Sequence, residues 1–246
     1  MTALQVEGLA KLFGGLRAVD GVSLSVAQGE RRVLIGPNGA GKTTLFHCVT
    51  GTLEPSAGRV ALFGRDVTHL AEHRRTALGM GRTFQITNLF AELSLLENLA
   101  LAILGTGRRK WVMHRPLERF GDVRAQALAG LHAVGLGERA AELVRNVSYG
   151  ERRQLELALA LDTRPKVLFL DEPCAGLSPS ERQKISRMIA ALPREITLVM
   201  IEHDMDVALG LADRVTVLHR GRVILEGSPQ EVQANPEVRD VYFGHA

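Results

Sequence analysis

Apolar positions along the chain fall into two kinds of run. Three stretches are apolar almost throughout and of strand length: Arg32 to Ile35 with Val33-Leu34-Ile35 at its centre, Val167 to Leu170, and Ile196 to Ile201. Such runs predict strands buried in a sheet. Leu4 to Leu9, Val22 to Val26, Arg59 to Phe63 and Gly79 to Phe84 also read as strands, and Val215 to Leu218 with Val223 to Glu226 reads as a hairpin around Arg220-Gly221. Turn signals at Gly14-Gly15, Gln28-Gly29 and Pro55 to Gly58 separate them. The early short strands predict a small antiparallel sheet beside the main one.

Helical patterning covers Lys42 to Val49, His69 to Ala77, Leu93 to Leu104, Asp122 to Val134, Glu138 to Leu143, Arg152 to Leu161 and Ser180 to Ala191. Ser148 stands where it would cap the Arg152 helix, and Pro179 falls near the first position of the Ser180 helix. Ser228 caps a short helix and Pro236 starts the last one. Between about residues 88 and 163 no strand signal is convincing. The expectation is one domain, residues 1–246, with an α/β core, an antiparallel β subdomain and an inserted α-helical subdomain at about 88–163.

Composition narrows the setting. A length of 246 residues suits one large domain. Two cysteines, Cys48 and Cys174, are too few for a disulfide framework or a metal cluster and fit a reducing compartment. Met1 to Leu12 lacks a signal-peptide pattern, and no apolar run spans a bilayer. Net charge of +3 is no nucleic-acid signature. Basic residues concentrate only at Arg108-Arg109-Lys110 with His114, Arg115 and Arg119, which reads as a solvated loop or as a surface facing anionic groups.

The chemistry begins with Gly36-Pro37-Asn38-Gly39-Ala40-Gly41-Lys42-Thr43, followed by Thr44. It matches Gly-x-x-x-x-Gly-Lys-Ser/Thr between a buried strand and a helix, the context a P-loop requires. Glycines let successive amides turn toward phosphate oxygens, and the helix adds its positive end. Lys42 would reach the β- and γ-phosphates, and Thr43 would ligate Mg²⁺. Asp171-Glu172 ends the second apolar strand; two carboxylates there suit a Mg²⁺-holding Asp171 and a water-polarising Glu172. Gln85, at a strand end, reads as a Mg²⁺ or water ligand or as a polar loop residue. His203 ends the third strand and would hydrogen-bond the γ-phosphate or the attacking water. Phe13 reads either as a core or turn aromatic or as a ring stacking on adenine. Ser148 and Gly150 at a helix start form an anion site as well as a cap.

Together these residues resemble the ATP-binding subunits of ABC transporters, with Gly36 to Thr43 as Walker A, Gln85 as the Q-loop, Val147 to Glu151 as the signature, Leu170 to Glu172 as the end of Walker B and His203 as the switch histidine. The resemblance covers essentially the whole chain. It implies a P-loop NTPase core, ATP and Mg²⁺ as cofactors, and a head-to-tail pair of subunits. Walker A of one copy and Ser148, Gly150 and Glu151 of the other would hold one ATP between them. It further implies Glu172 as base with His203 and Gln85 assisting, and Thr43, Gln85 and Asp171 around the metal. Phe13 then falls where the family has its adenine-stacking aromatic. Gln85 to Glu97 would meet a transmembrane permease at the cytoplasmic face, with a substrate-binding protein as an indirect partner and no nucleic acid.

Thr83-Phe84-Gln85, Ser148 to Glu151, Glu172 to Leu177, Ile201 to Met205 and the tail Asn235 to Val238 with Val241-Tyr242 are similar to the ATPases of branched-chain amino acid importers. Urea and amide importers share much of this pattern. A soluble, non-transport ATPase of the same class would carry two cassettes or a coiled-coil insertion, and neither is present. An Asn-Lys-x-Asp guanine reader is absent too. Tyr149, Glu151 and Ser178 depart from the general family, which has Gly, Gln and Asp there.

Overall fold

The computed structural model describes residues 1–83, 89–106 and 120–243. In chain order come β1 (Thr2–Phe13), β2 (Leu16–Ala27), β3 (Arg31–Ile35), α1 (Lys42–Thr50), β4 (Ala57–Leu62), β5 (Arg65–Asp66), α2 (Glu72–Ala77) and β6 (Met80–Arg82). Next are α3 (Leu95–Thr106), α4 (Gly121–Ala133), α5 (Tyr149–Asp162), β7 (Val167–Asp171), α6 (Pro179–Ala190), β8 (Thr197–Ile201) and α7 (Met205–Leu211). The hairpin β9 (Arg214–His219) and β10 (Arg222–Gly227), then α8 (Pro229–Ala234) and α9 (Pro236–Phe243), complete it.

Every residue of β3, β7 and β8 is buried, because both faces of their sheet are covered. Alternate residues serve different cores. Leu34, Phe169, Val199 and Ile201 face a core shared with α1 and the first hairpin. Val33, Ile35, Leu168, Leu170, Leu198 and Met200 face one shared with α6, α7 and α8. The sheet order is β10-β9-β3-β8-β7-β6, parallel except for the last hairpin's outer strand β10. A second sheet, β2-β1-β4-β5, is wholly antiparallel, as the turn signals predict.

Helices α3, α4 and α5 lie between β6 and β7 and share a third core, with Leu95, Leu99, Ala127, Leu131 and Leu155 at its centre. Helix α5 also turns Leu157 and Ala160 toward the sheet, so it fastens the helical layer to the strands. The expected start of this insertion, residue 88, lies outside the described residues.

One expected helix is not there. Glu138 to Leu143 forms no α-helix; two 3-10 turns, Gly137–Arg139 and Val144–Asn146, flank an irregular stretch. Its backbone is committed elsewhere. The Leu95 and Leu96 amides at the start of α3 donate to the carbonyls of Glu142 and Ala140, at 2.9 and 3.0 Å, and the Val144 amide donates to the Leu93 carbonyl at 3.0 Å. The segment satisfies the orphan amides of a neighbouring helix instead of building its own ladder. Helix α2 begins at Glu72 where a polar helix from His69 is expected, and strand β6 covers only Met80–Arg82.

Candidate functional site

Strand β3 delivers the Gly36–Gly41 loop to the start of α1. Gly39 and Gly41 have φ of 78° and 95°, which a side chain rarely adopts. Gly41 also has no room: a Cβ there would lie 2.2 Å from the Ala18 carbonyl oxygen of β2. The Gly221 amide donates to Ala40 at 2.9 Å and the Asp20 amide to Gly221 at 2.8 Å, so both hairpins brace the loop. Helix α1 has no side-chain cap, which leaves its first amides to whatever the loop holds. Lys42 is 5% exposed. Its Nζ donates to the Gly36 and Pro37 carbonyls at 2.6 and 3.0 Å. Burial pulls the Lys42 pKa down, against the attraction of Glu172 and Asp171. Thr43 and Thr44 sit half-buried in the first turn of α1.

Phe13 is 47% exposed at the tip of the first hairpin, with Lys11 Nζ 5.3 Å from its ring centroid. The core reading of this residue is therefore excluded. Its partner strand β2 is the one that carries Ala18 against Gly41.

Asp171, at the end of β7, is 1% exposed, and among the described residues neither of its carboxylate oxygens has a hydrogen-bond partner. Burial raises its pKa, with Arg82 opposing. A buried, unpartnered carboxylate is costly unless a cation joins it. Among the described residues no group of three or more His, Cys, Asp or Glu could hold a metal. A single carboxylate with a threonine hydroxyl suits Mg²⁺, which takes few protein ligands and completes its shell with phosphate oxygens and water.

Glu172 follows with φ 48°, a left-handed conformation costing roughly 1–2 kcal/mol for a residue with a Cβ. Its amide donates to the Ile201 carbonyl at 3.0 Å, and its carboxylate meets His203, where Oε1 and Nε2 are 2.6 Å apart. The strained residue thus joins the ends of β7 and β8. Gln85 lies outside the described residues, as does the basic stretch Arg108 to Arg119.

Ser148 caps α5. Its Oγ accepts from the Glu151 amide at 3.2 Å, and the Ser148 amide donates to Glu151 Oε2 at 2.8 Å, a complete capping box. Gly150 is tight against α6: a Cβ would stand 2.4 Å from Glu181 Oε1. Tyr149 is half exposed, its hydroxyl accepting from Arg153 at 2.7 Å. Ser178 forms the same capping box with Glu181. Among the described residues, no hydrogen bond or ion pair links this helix start to the Gly36–Gly41 loop.

Sequence reasoning passed over Glu202. It is 2% exposed and accepts the amides of Cys174 at 3.1 Å and His203 at 3.2 Å. It clamps the loop after Glu172 to the strand end that bears His203. Its signals were an acid at the end of an apolar strand and its place in the Ile201 to Met205 stretch. Cys174 is buried, with its thiol pKa pushed up to about 12 by burial, and is therefore inert.

Comparison with known proteins agrees with this geometry. A family model described as ABC transporter matches residues 19–175, and one described as branched-chain amino acid ATP-binding cassette transporter matches residues 222–246. The chain is 40% identical to the high-affinity branched-chain amino acid transport ATP-binding protein LivG of Salmonella typhimurium, over 99% of this chain and 98% of that protein. It is 39% identical, with the same coverage, to the corresponding protein BraF of Pseudomonas aeruginosa. The crystal structure of the ADP conformation of an ATP-binding cassette of an ABC transporter superposes with a TM-score of 0.86 at 30% identity, covering 100% of both chains. A dimeric post-hydrolysis cassette bound to ADP and phosphate gives 0.78 at 25% identity, over 92% of this chain and 98% of that one. A glycine loop on a buried strand, an acid–histidine pair at the next strand ends and a matching family model over most of the chain lead to one assignment: this protein belongs to the ABC transporter family, as an ATP-binding and ATP-hydrolysing subunit.

Proposed function

We propose that this subunit powers uptake of branched-chain amino acids through a membrane-embedded permease. The observation that carries the cargo class is the end-to-end similarity to two such transport proteins, reinforced by the family match over residues 222–246. No helix among the described residues is long and apolar enough to cross a membrane, so transport needs a permease partner. The subunit sits at the cytoplasmic face through that partner. A groove of about 520 Å³ lined by Thr83, Leu89, Phe90, Leu101 and Leu159 offers the permease an apolar seat.

In this reading ATP lies between two copies set head to tail. The Gly36–Gly41 loop, Lys42, Thr43 and Thr44 of one copy hold the phosphates, with Phe13 on the adenine. The α5 start of the other copy, at Ser148, Gly150 and the Glu151 cap, closes on the γ-phosphate. The separation of the two anion sites within one chain supports this arrangement. Thr43, Asp171 and Gln85 would hold Mg²⁺, which when bound offsets charge on the β- and γ-phosphate oxygens. Glu172 takes the proton of the attacking water while His203 orients it.

Two measurements test this. Glu172→Gln should keep ATP binding, lower phosphate release by at least about 100-fold and accumulate an ATP-dependent dimer on sedimentation. Turnover above a tenth of wild type would remove Glu172 from the base role. Reconstituted with its permease and binding protein, the wild-type subunit should show ATPase activity stimulated by leucine and not by urea; the reverse response would reassign the cargo.

A further inference from the structure

An acid at the third position of α5 is at odds with a helix start that grips a polyphosphate. The dipole and free amides favour one anion there, and a resident carboxylate repels a second. The structure surrounds that carboxylate. Glu151 Oε2 is held by the Ser148 amide at 2.8 Å, and Oε1 is ion-paired with the guanidinium of Arg139. Arg139 arrives from the 3-10 turn Gly137–Arg139, and its Nε also donates to Glu142 Oε1 at 2.8 Å. The Glu151 side chain is 19% exposed and that of Glu142 42%, so water screens Glu142 more than Glu151. Arg139, Ser148, Gly150 and Glu151 line one cavity of about 370 Å³, joined there by Glu181, whose carboxylate accepts the Ser178 amide at 3.0 Å, and by Lys184, whose Nζ donates to neutral Gln154 at 3.1 Å.

We propose that Arg139 is a positioning residue for the nucleotide grip. By pairing with Glu151 it offsets part of the negative charge that would oppose the γ-phosphate, although it shares its guanidinium with Glu142, and it holds the carboxylate on the Ser148 amide so that the serine hydroxyl keeps its aim. This rests on the reading that the α5 start of one copy closes on ATP bound by the other. Arg139 touches no phosphate itself; it acts through Glu151.

The test uses full-length protein carrying Glu172→Gln, with the ATP concentration for half-maximal dimerisation read by sedimentation. Arg139→Met should raise that concentration by about tenfold or more, since it strips a charge of its partner. Arg139→Lys should stay within about threefold of the parent, because the positive charge remains. Arg139→Met combined with Glu151→Gln should return to within about threefold, because Gln preserves the capping box and removes only the charge. A purely structural role for Arg139 would not be rescued in this way. A twofold or smaller effect of Arg139→Met, or failure of the double variant to recover, overturns the proposal. If Arg139→Met does not fold, as melting without nucleotide would reveal, Arg139→Gln takes its place with the same expectation of about tenfold and the same rescue by Glu151→Gln. Ser148→Arg separates the two levels. If it dimerises at the parent's ATP concentration, the grip reading itself fails; if it does not, an unaffected Arg139→Met defeats only the present proposal.

Discussion

Gly39 and Gly41 offer a paired test of what holds the phosphate loop. Both have left-handed φ, 78° and 95°. They differ in their surroundings: a Cβ on Gly39 meets nothing within 4 Å, whereas one on Gly41 lies 2.2 Å from the Ala18 carbonyl oxygen and 3.3 Å from Gly221 Cα. Gly39→Ala should therefore cost only the conformational strain, about 1–2 kcal/mol, less some 0.4–1 kcal/mol regained by stiffening the unfolded chain. Gly41→Ala bears the same terms and must also push backbone aside, an overpacking cost of about 1–3 kcal/mol. For a chain of this size each kcal/mol moves the melting temperature by roughly 2–4 °C. Gly41→Ala should accordingly melt about 2–12 °C below Gly39→Ala by calorimetry without nucleotide. Omitting the ligand matters, since both residues belong to the proposed binding loop. Equal melting temperatures would show that Ala18 and Gly41 are not in close contact, and the bracing of the loop by the first hairpin would have to be abandoned.

Arg32, 2% exposed, bonds Glu30 at 2.7 Å, Thr216 at 2.8 Å and the Ser25 carbonyl at 2.8 Å, and is ion-paired with Glu226. Arg32→Met strands two carboxylates and should cost about 3–5 kcal/mol in urea unfolding; a loss below about 1 kcal/mol would mean that water already serves those partners. Glu202 has its pKa raised above 4.5, chiefly by burial. The folded chain then holds this proton longer than the unfolded one, so the residue's contribution to stability falls as pH rises from 4.5 through the folded value. The stability of Glu202→Gln relative to wild type should improve over that range in denaturant titrations, and an opposite slope would contradict a raised pKa.

The strands were legible because β3, β7 and β8 are covered on both faces and so read as unbroken apolar runs. The α5 cap was legible because a capping box is local in sequence. What escaped depends on distant partners. The 138–143 stretch has a helix-compatible pattern, but its carbonyls serve amides near residue 95. Phe13 is ambiguous until the hairpin tip is placed, and only then is its exposure known. Glu202 and Arg139 each look like ordinary surface charges until Cys174 and Glu151 are brought beside them. Nor does any local pattern announce the left-handed turn of Glu172, since that turn is set by its bond to Ile201 across the sheet.

The neighbours of β3 have a consequence for how the protein is made. Its two flanking strands are β8 and β9, with Arg31 beside Leu198 and Arg32 beside Arg214. At a translation rate of about 5–20 residues per second, roughly ten to forty seconds pass between synthesis of that strand and of its flanks. Throughout that interval both of its edges are bare, the condition under which nascent chains stick to one another or recruit chaperones. A nucleotide-binding loop built on such a strand matures late, so a ribosome-bound fragment ending before residue 197 should not compete with the finished protein for ATP.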